Sequence, residues 1–333
     1  MVAVRLDGKV AVVTGATGGW GSGVAIGLAD RGAAVVLNAR TQSKLDAFAS
    51  RLRRDGGRAI GVAQDVRTLD GATTLVERAV EEFGRVDVLV NCAGVTISDG
   101  TAPKDAAEPQ AALSLYGGSL LDLSEESWLY VISAELTSVF NCTKAAATQM
   151  VRQGEGGAIV TVVGTILGAA GQSAHAAAKA GVLNGIWSWS DELVAHGITV
   201  NGVRGYVRSL LTDAAFDIET YDFRRRRETP MLPTEPIEAG ELVAWLASDD
   251  ASDVTGAYLG IDGPRVTMWE PNLPGTAVFN HPSWTAEDLA RDLGPIARRR
   301  PRRASMTDVV IDMFSARDVE RAAKERAKFR AGS

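Results

Sequence analysis

Cysteine is nearly absent from this chain: there are two in 333 residues, Cys92 and Cys142, each in alanine-rich apolar surroundings. A pair so placed excludes a disulfide scaffold and a thiolate metal cluster, and reads as two buried free thiols in a reducing compartment. No metal is expected. Also missing is any apolar run near the ~20 residues that a membrane-spanning helix requires, so no membrane partner is expected. The N-terminus carries no signal-peptide pattern, because Arg5, Asp7 and Lys9 interrupt it. Positive charge is not in excess either: 35 Lys+Arg against 41 Asp+Glu give a net charge of −6, which argues against broad nucleic-acid affinity. There is no internal repeat. What these absences leave is a cytoplasmic, enzyme-sized chain, 46% hydrophobic and 23% charged, able to bury a large core.

What is present is an alternation of short apolar runs and longer helical patterns. Strands are expected at residues 10–14, 33–38, 58–62, 86–91, 158–163, 199–203 and 258–261. Helices are expected notably at 43–55, 70–83, 124–153 and 173–196. That order predicts an α/β fold, a doubly wound parallel sheet covered on both faces. Directly after the first strand comes Thr14-Gly15-Ala16-Thr17-Gly18-Gly19-Trp20-Gly21. The position suits a phosphate cradle, in which helix N–H groups and the positive dipole end face a ligand. Gly15 permits the tight turn, Gly19 lets a pyrophosphate approach, and Gly21 lets the helix pack close to the strand. Thr17 and Trp20 lie in the same run and join the candidate cofactor site. A purely structural glycine turn is the competing reading of this motif alone.

Two stretches break the alternation. Residues 95–122 make a connection longer than a strand-to-helix loop needs, rich in Ala, Gly, Pro and Asp. Residues 264–333 form a proline-punctuated extension with an arginine cluster (Arg298 to Arg300, Arg302, Arg303) and a last amphipathic helix at 305–330. The dinucleotide-binding domain is therefore placed at 1–263.

Five motifs stand in register: the glycine run, Asp65-Val66, Asn91-Cys92-Ala93-Gly94, Ile198-Thr199-Val200-Asn201 and Asp262-Gly263. Over about residues 5–263 the chain resembles the short-chain dehydrogenase/reductase family. The resemblance implies a Rossmann sheet that binds NAD or NADP, with Asp65 and Val66 at the adenine and Asn91, Ala93 and Gly94 forming the floor of the cofactor site. It also places Val207 and Ser209 beside the nicotinamide. At the end of the second strand, where an acidic residue would bind the ribose hydroxyl, the chain reads Leu37-Asn38-Ala39-Arg40. With a guanidinium and no carboxylate, NADP is favoured over NAD. A solvated Arg40 at a helix start is the plainer alternative.

The chemistry departs from the pattern. The family's tetrad resembles Asn, Ser, Tyr and Lys, and the Tyr-x-x-x-Lys spacing here is His175-Ala176-Ala177-Ala178-Lys179. The asparagine position falls on Glu135, the serine position on Gly164 or, with a one-residue shift, Thr165, and the proline after the sixth strand is Arg204. Three readings follow. In one, the chain is an NADP-dependent oxidoreductase of a carbonyl/alcohol substrate. There His175 replaces the tyrosine as an imidazole that exchanges protons near neutral pH, Lys179 favours the neutral ring, Glu135 orients it and Thr165 supplies a hydroxyl. In the second, the pocket abstracts a proton next to a carbonyl without redox chemistry, as an isomerase or lyase. In the third, the chain is a catalytically silent subunit paired with an active relative.

The helix bearing His175 also carries Trp187 and Trp189, which suits a homodimer or homotetramer contact, as this helix makes in the family. A substrate lid is implied near 206–238. Its Arg224–Arg227 run suits a phosphorylated or CoA-linked substrate, against the alternative of a solvated helix face.

Overall fold

The computed structural model describes residues 4–95, 120–164, 172–205, 207–208, 234–262 and 265–269. Two compact units divide the chain: Met1–Tyr221 with Met231–Met268, and Asp222–Pro230 with Trp269–Ser333. Of the second unit, Trp269 alone falls among the described residues. The arginine runs, the helix expected at 305–330, Thr165, Ser209 and the lid between 209 and 233 lie outside them.

Eight strands form one sheet in the order β3-β2-β1-β4-β5-β6-β7-β8. They are β1 (Val10–Val13), β2 (Ala34–Ala39), β3 (Arg58–Ala63), β4 (Val88–Asn91), β5 (Gly157–Val162), β6 (Ile198–Gly205), β7 (Tyr258–Asp262) and β8 (Arg265–Trp269). β1 to β7 pair in parallel. Parallel strands covered on both faces have no solvent side, hence the uninterrupted burial of Val10–Val13 and Val88–Asn91. Only two residues separate β7 from β8, too few for a crossover, so β8 returns antiparallel. The sheet thus runs on through Arg265–Trp269.

Helices α1 (Gly19–Asp30), α2 (Gln42–Arg54), α3 (Leu69–Phe83), α4 (Glu125–Ile132), α5 (Ser138–Gln153), α6 (Ser173–Leu193) and α7 (Pro236–Leu246) cover the sheet. Their ends carry ordinary local signals. Thr68 accepts the Gly71 N–H (3.1 Å) to start α3, and Gly84 ends it with φ +85°. Ser124 accepts the Ser127 N–H (3.1 Å) to start α4. Glu238 accepts the Glu235 N–H (2.8 Å) beside Pro236 at the first position of α7.

The single helix expected over 124–153 is three segments. Between α4 and α5 the chain takes a π-helical turn, Ser133–Thr137, with Glu135 inside it. Such a turn inserts a residue without breaking the helix and changes which side chains face inward. One core cluster joins α1 and α7 to the sheet (Val24, Leu28, Val243, Leu246 with Val13, Leu37, Val90, Val203). A small satellite cluster, Val95, Tyr130, Val131, Ala134 and Ala174, fastens α4 and the π turn to the start of α6. Trp187 and Trp189 are both half-buried on α6, and the Trp189 ring lies over Gly185, where a Cβ would meet it at 2.8 Å.

Candidate active site

The strand order reverses at β1, which pairs with β2 on one side and β4 on the other. Two crossovers leave in opposite directions from that point, opening a crevice beyond the strands' carboxyl ends. The glycine turn after β1 and the Asn91–Gly94 segment after β4 both stand there. Gly15 holds φ +60°, and a Cβ on it would lie 2.7 Å from the Cys92 carbonyl oxygen. A Cβ on Gly21 would lie 2.2 Å from the Gly15 carbonyl oxygen, so the first turn of α1 sits directly on the loop. α1 starts with no side-chain cap at Gly18 and no acidic residue in its first turn. Its leading N–H groups and positive dipole end therefore await an external anion, as a dinucleotide pyrophosphate would supply. Thr17 is exposed, and Gly19 and Trp20 half-exposed, along the same rim.

Thr14 ties turn and floor together, a role the sequence reading does not assign. Its hydroxyl accepts the N–H groups of Cys92 (3.1 Å) and Ala93 (3.1 Å). Asn91, 2% exposed, donates from Nδ2 to the hydroxyls of Thr143 (3.2 Å) and Thr161 (3.1 Å). Its Oδ1 is buried without a donor among the described residues. An acceptor left so costs about 1–3 kcal/mol until a donor reaches it, which fits a floor made to meet a ligand.

At the corner that the resemblance assigns to adenine, Asp65 is gripped by Arg67, whose guanidinium donates at 2.6 Å and lies 5.6 Å from the Tyr130 ring centre. That bond, aided by the Arg67 backbone N–H and weakly by the charge of Arg40, holds the Asp65 carboxyl below its ordinary range. Asn38 is buried and committed to the carbonyls of Val62 (3.0 Å) and Gln64 (3.1 Å). Val66 is buried beside Asp65, its carbonyl accepting from Asn141 Nδ2 (3.2 Å).

Of the sequence-expected catalytic residues, His175 and Glu135 meet. His175 Nδ1 stands 2.7 Å from Glu135 Oε2 across the π turn and the first turn of α6. Glu135 is 1% exposed and His175 12%. Glu135 also borders the Asn91–Gly94 segment, because a Cβ on Gly94 would lie 3.8 Å from its Oε1. Lys179, 7% exposed, follows His175 by one helical turn, and its Cε lies 3.7 Å from where a Cβ on Gly164 would stand. Gly164 takes φ +73° and its carbonyl accepts the Tyr258 hydroxyl (2.6 Å). The ungapped serine position thus offers backbone and no hydroxyl, and Thr165 lies outside the described residues. Val207 is buried and bridges to Thr234. Burial pushes the Cys92 thiol up to about 12, with the charge of Lys179 opposing. Cys142 rises to about 12 by burial alone.

A doubly wound sheet with an uncapped glycine turn at its switch point defines a Rossmann-like α/β protein. The chain belongs to the short-chain dehydrogenase family, whose model matches residues 9–218. It is 32% identical over 271 residues to a 3-oxoacyl-(acyl-carrier-protein) reductase of Thermotoga maritima, covering 79% of this chain and 100% of that one. It is 40% identical over 259 residues to a cis-4-hydroxycyclohexanecarboxylate dehydrogenase of Sinomonas cyclohexanicum, covering 77% and 95%. A short chain dehydrogenase from Mycobacterium avium superposes with TM-score 0.71 at 26% identity, covering 90% of this chain and 98% of that structure. The chain is accordingly of the class of oxidoreductases that act on carbonyl/alcohol substrates with a nicotinamide cofactor. Among the described residues no helix is long and apolar enough to cross a membrane, and no His, Cys, Asp and Glu gather as a metal site.

Proposed function

We propose that this chain is an NADP-dependent oxidoreductase of a secondary alcohol and its ketone, with His175 as the proton-exchanging group. The 2.7 Å contact between His175 and Glu135 carries the reading. When bound, the cofactor supplies or accepts hydride at the reacting carbon. The rest of the step belongs to the protein. A buried carboxylate accepts and does not donate, so the Glu135 contact places the proton on Nδ1 and fixes the ring. Nε2 is then the exchanging nitrogen: in reduction the doubly protonated ring gives its Nε2 proton to the carbonyl oxygen and is left neutral, and in oxidation the neutral ring takes the hydroxyl proton at Nε2. The Lys179 ammonium stands one turn along the same helix, adding positive charge where negative charge develops on that oxygen.

This arrangement also favours chemistry over a silent subunit. Burying a carboxylate costs several kcal/mol unless partners compensate it, and a chain without proton transfer to perform has no need of one against the cofactor floor. Arg40 supports NADP, since it stands near Asp65 while Asn38 is already committed to backbone carbonyls. The relatives named for a 3-oxoacyl group and a hydroxycyclohexane ring both handle an oxygen on a secondary carbon, which sets the substrate class proposed.

The test is NADPH oxidation with a panel of ketones by wild type, His175→Asn and His175→Tyr. The asparagine variant is expected to lose about 100- to 10,000-fold in kcat, the usual size of an acid–base contribution, with KM little changed. Wild-type rates in the asparagine variant would overturn the assignment. Conversion of substrate without any change in NADPH would point instead to isomerase or lyase chemistry.

A further inference from the structure

Asp65 does not stand ready for a ligand. A dinucleotide with its pyrophosphate on α1 and its ribose at the end of β2 would lay its base toward the end of β3, the next strand out, where Asp65 stands. A bare carboxylate there would accept from the amino group of adenine. In this chain Arg67 already fills the acceptor. Its backbone N–H (3.0 Å) and Nε (2.9 Å) donate to Oδ1, and Nε (3.0 Å) and Nη2 (2.6 Å) donate to Oδ2. The pair is built into the fold. Asn141 Nδ2 donates to the carbonyls of Val66 (3.2 Å) and Arg67 (3.0 Å), and the Thr68 hydroxyl donates to the carbonyl of Asp65 (3.1 Å). The guanidinium lies 5.6 Å from the ring centre of Tyr130, itself buried on α4. Exposed ion pairs hold little, but this one is half-buried, forked on both oxygens and backed by a ring.

We propose that Arg67 is a positioning residue that sets base specificity: by keeping Asp65 satisfied it makes the site indifferent to the amino group of adenine, so that hypoxanthine dinucleotides bind as readily as adenine ones. This rests on the dinucleotide reading above and names the bases that the site accepts. A site rejects a ligand lacking a donor chiefly because its own acceptor is then left without a partner. Hypoxanthine would leave a lone carboxylate in that state, and would turn a carbonyl oxygen toward it where adenine has the amino group. With the guanidinium in place, Asp65 keeps its partner whichever base is bound. The carbonyl oxygen then meets a neutral pair and not a bare negative charge.

The probes are NADPH and NADH, each beside its hypoxanthine counterpart. They are titrated into the full chain by nicotinamide fluorescence, with no substrate present, so that no turnover enters. Wild type is expected to bind the two bases within about three-fold of each other. Arg67→Met, which keeps a stem against Tyr130 and removes the fork, is expected to prefer adenine by about ten-fold or more. Arg67→Lys, a charge without a fork, falls between them. The ratio is the decisive quantity, because a merely structural Arg67 would weaken both bases alike and leave it unchanged. A melting curve shows that each variant is folded, and should Arg67→Met not fold, the wild-type ratio and Arg67→Lys still decide. An adenine preference above about three-fold in wild type, or an unchanged ratio in folded Arg67→Met, overturns the proposal while leaving the dinucleotide reading intact. If none of the dinucleotides binds, the dinucleotide reading itself fails and the proposal goes with it.

Discussion

A carboxylate buried as deeply as Glu135 must be explained by its neighbours, and the His175 imidazole at 2.7 Å is the chief one on show. The resemblance singled out His175 and Lys179, and helical spacing puts residues i and i+4 on one face. Glu135 was legible through its register in the resemblance, but its contact was not, since forty residues and a change of helix geometry intervene. Asn91 was named through the resemblance, but its contacts, its lone Oδ1 and the part played by the Thr14 hydroxyl were not readable. Their roles depend on which amides and hydroxyls a parallel sheet brings beside them. The two thiols were read correctly as free, with Cys142 buried and Cys92 partly so. Both are held up to about 12, which in the folded state leaves about one in ten thousand ionised at pH 8. Ellman's reagent at pH 8 should therefore find almost no thiol in the native protein and two per chain after unfolding in guanidinium. Rapid reaction of either in the native state would contradict the burial. The sign for stability follows: a thiol raised above its unfolded value near ~8.5 keeps its full contribution below that pH. The contribution is then lost progressively as pH climbs toward 12.

Among elements, the crossing of α1 and α7 shows what a pattern of apolar residues conceals. The sequence reading of α1 rested on Val24, Ile26, Leu28 and Ala29, and these do line a helix, but its closest contact is made by glycine. A Cβ on Gly23 would lie 1.8 Å from the Pro236 carbonyl oxygen, and one on Gly240 would lie 2.3 Å from the Gly23 carbonyl oxygen. At Gly27 the nearest atom, in Gly240, would be 3.0 Å away. The two backbones touch, fastened at the rim by an Arg31–Glu241 ion pair, and no periodicity signals that. A graded result is expected in urea denaturation. Gly23→Ala should cost about 2–3 kcal/mol, because backbone must move, and Gly27→Ala about 1 kcal/mol or less. Equal losses, or none, would mean that the helices can slide apart freely. The π turn was illegible for a related reason. Ser133–Thr137 has ordinary helix-forming composition, and only the packing of Tyr130, Val131 and Ala134 against Val95 and Ala174 makes the extra residue worthwhile.

At the scale of the molecule, the doubly wound order was the most legible property, because alternating strand and helix patterns with short connections leave few other topologies. What escaped was β8, a five-residue edge strand with Arg265 and Thr267 among its apolar residues, whose placement depends on β7 offering it an edge. The same architecture links ligand to stability. The segments proposed as cradle, floor and adenine corner follow β1, β4 and β3, so a dinucleotide seated there would hold together strands far apart in the chain, and none of that grip exists in the unfolded state. Mass action then requires stabilisation of about 2.7 kcal/mol at a hundred times the dissociation constant. If Arg40 meets the 2′-phosphate, NADPH should raise the melting temperature by more than NADH at equal concentration. Arg40→Ala should bring the two shifts together while leaving the NADH shift unchanged. His175→Asn should alter neither, because the role proposed for the imidazole lies at the reacting carbon and not at the adenine end. Equal shifts in wild type would remove Arg40 from cofactor choice, and no shift with either would reduce the glycine turn to a device for packing α1 on β1. The second outcome is hard to reconcile with a helix that begins uncapped, without an acid in its first turn, directly over a floor holding an unsatisfied buried acceptor.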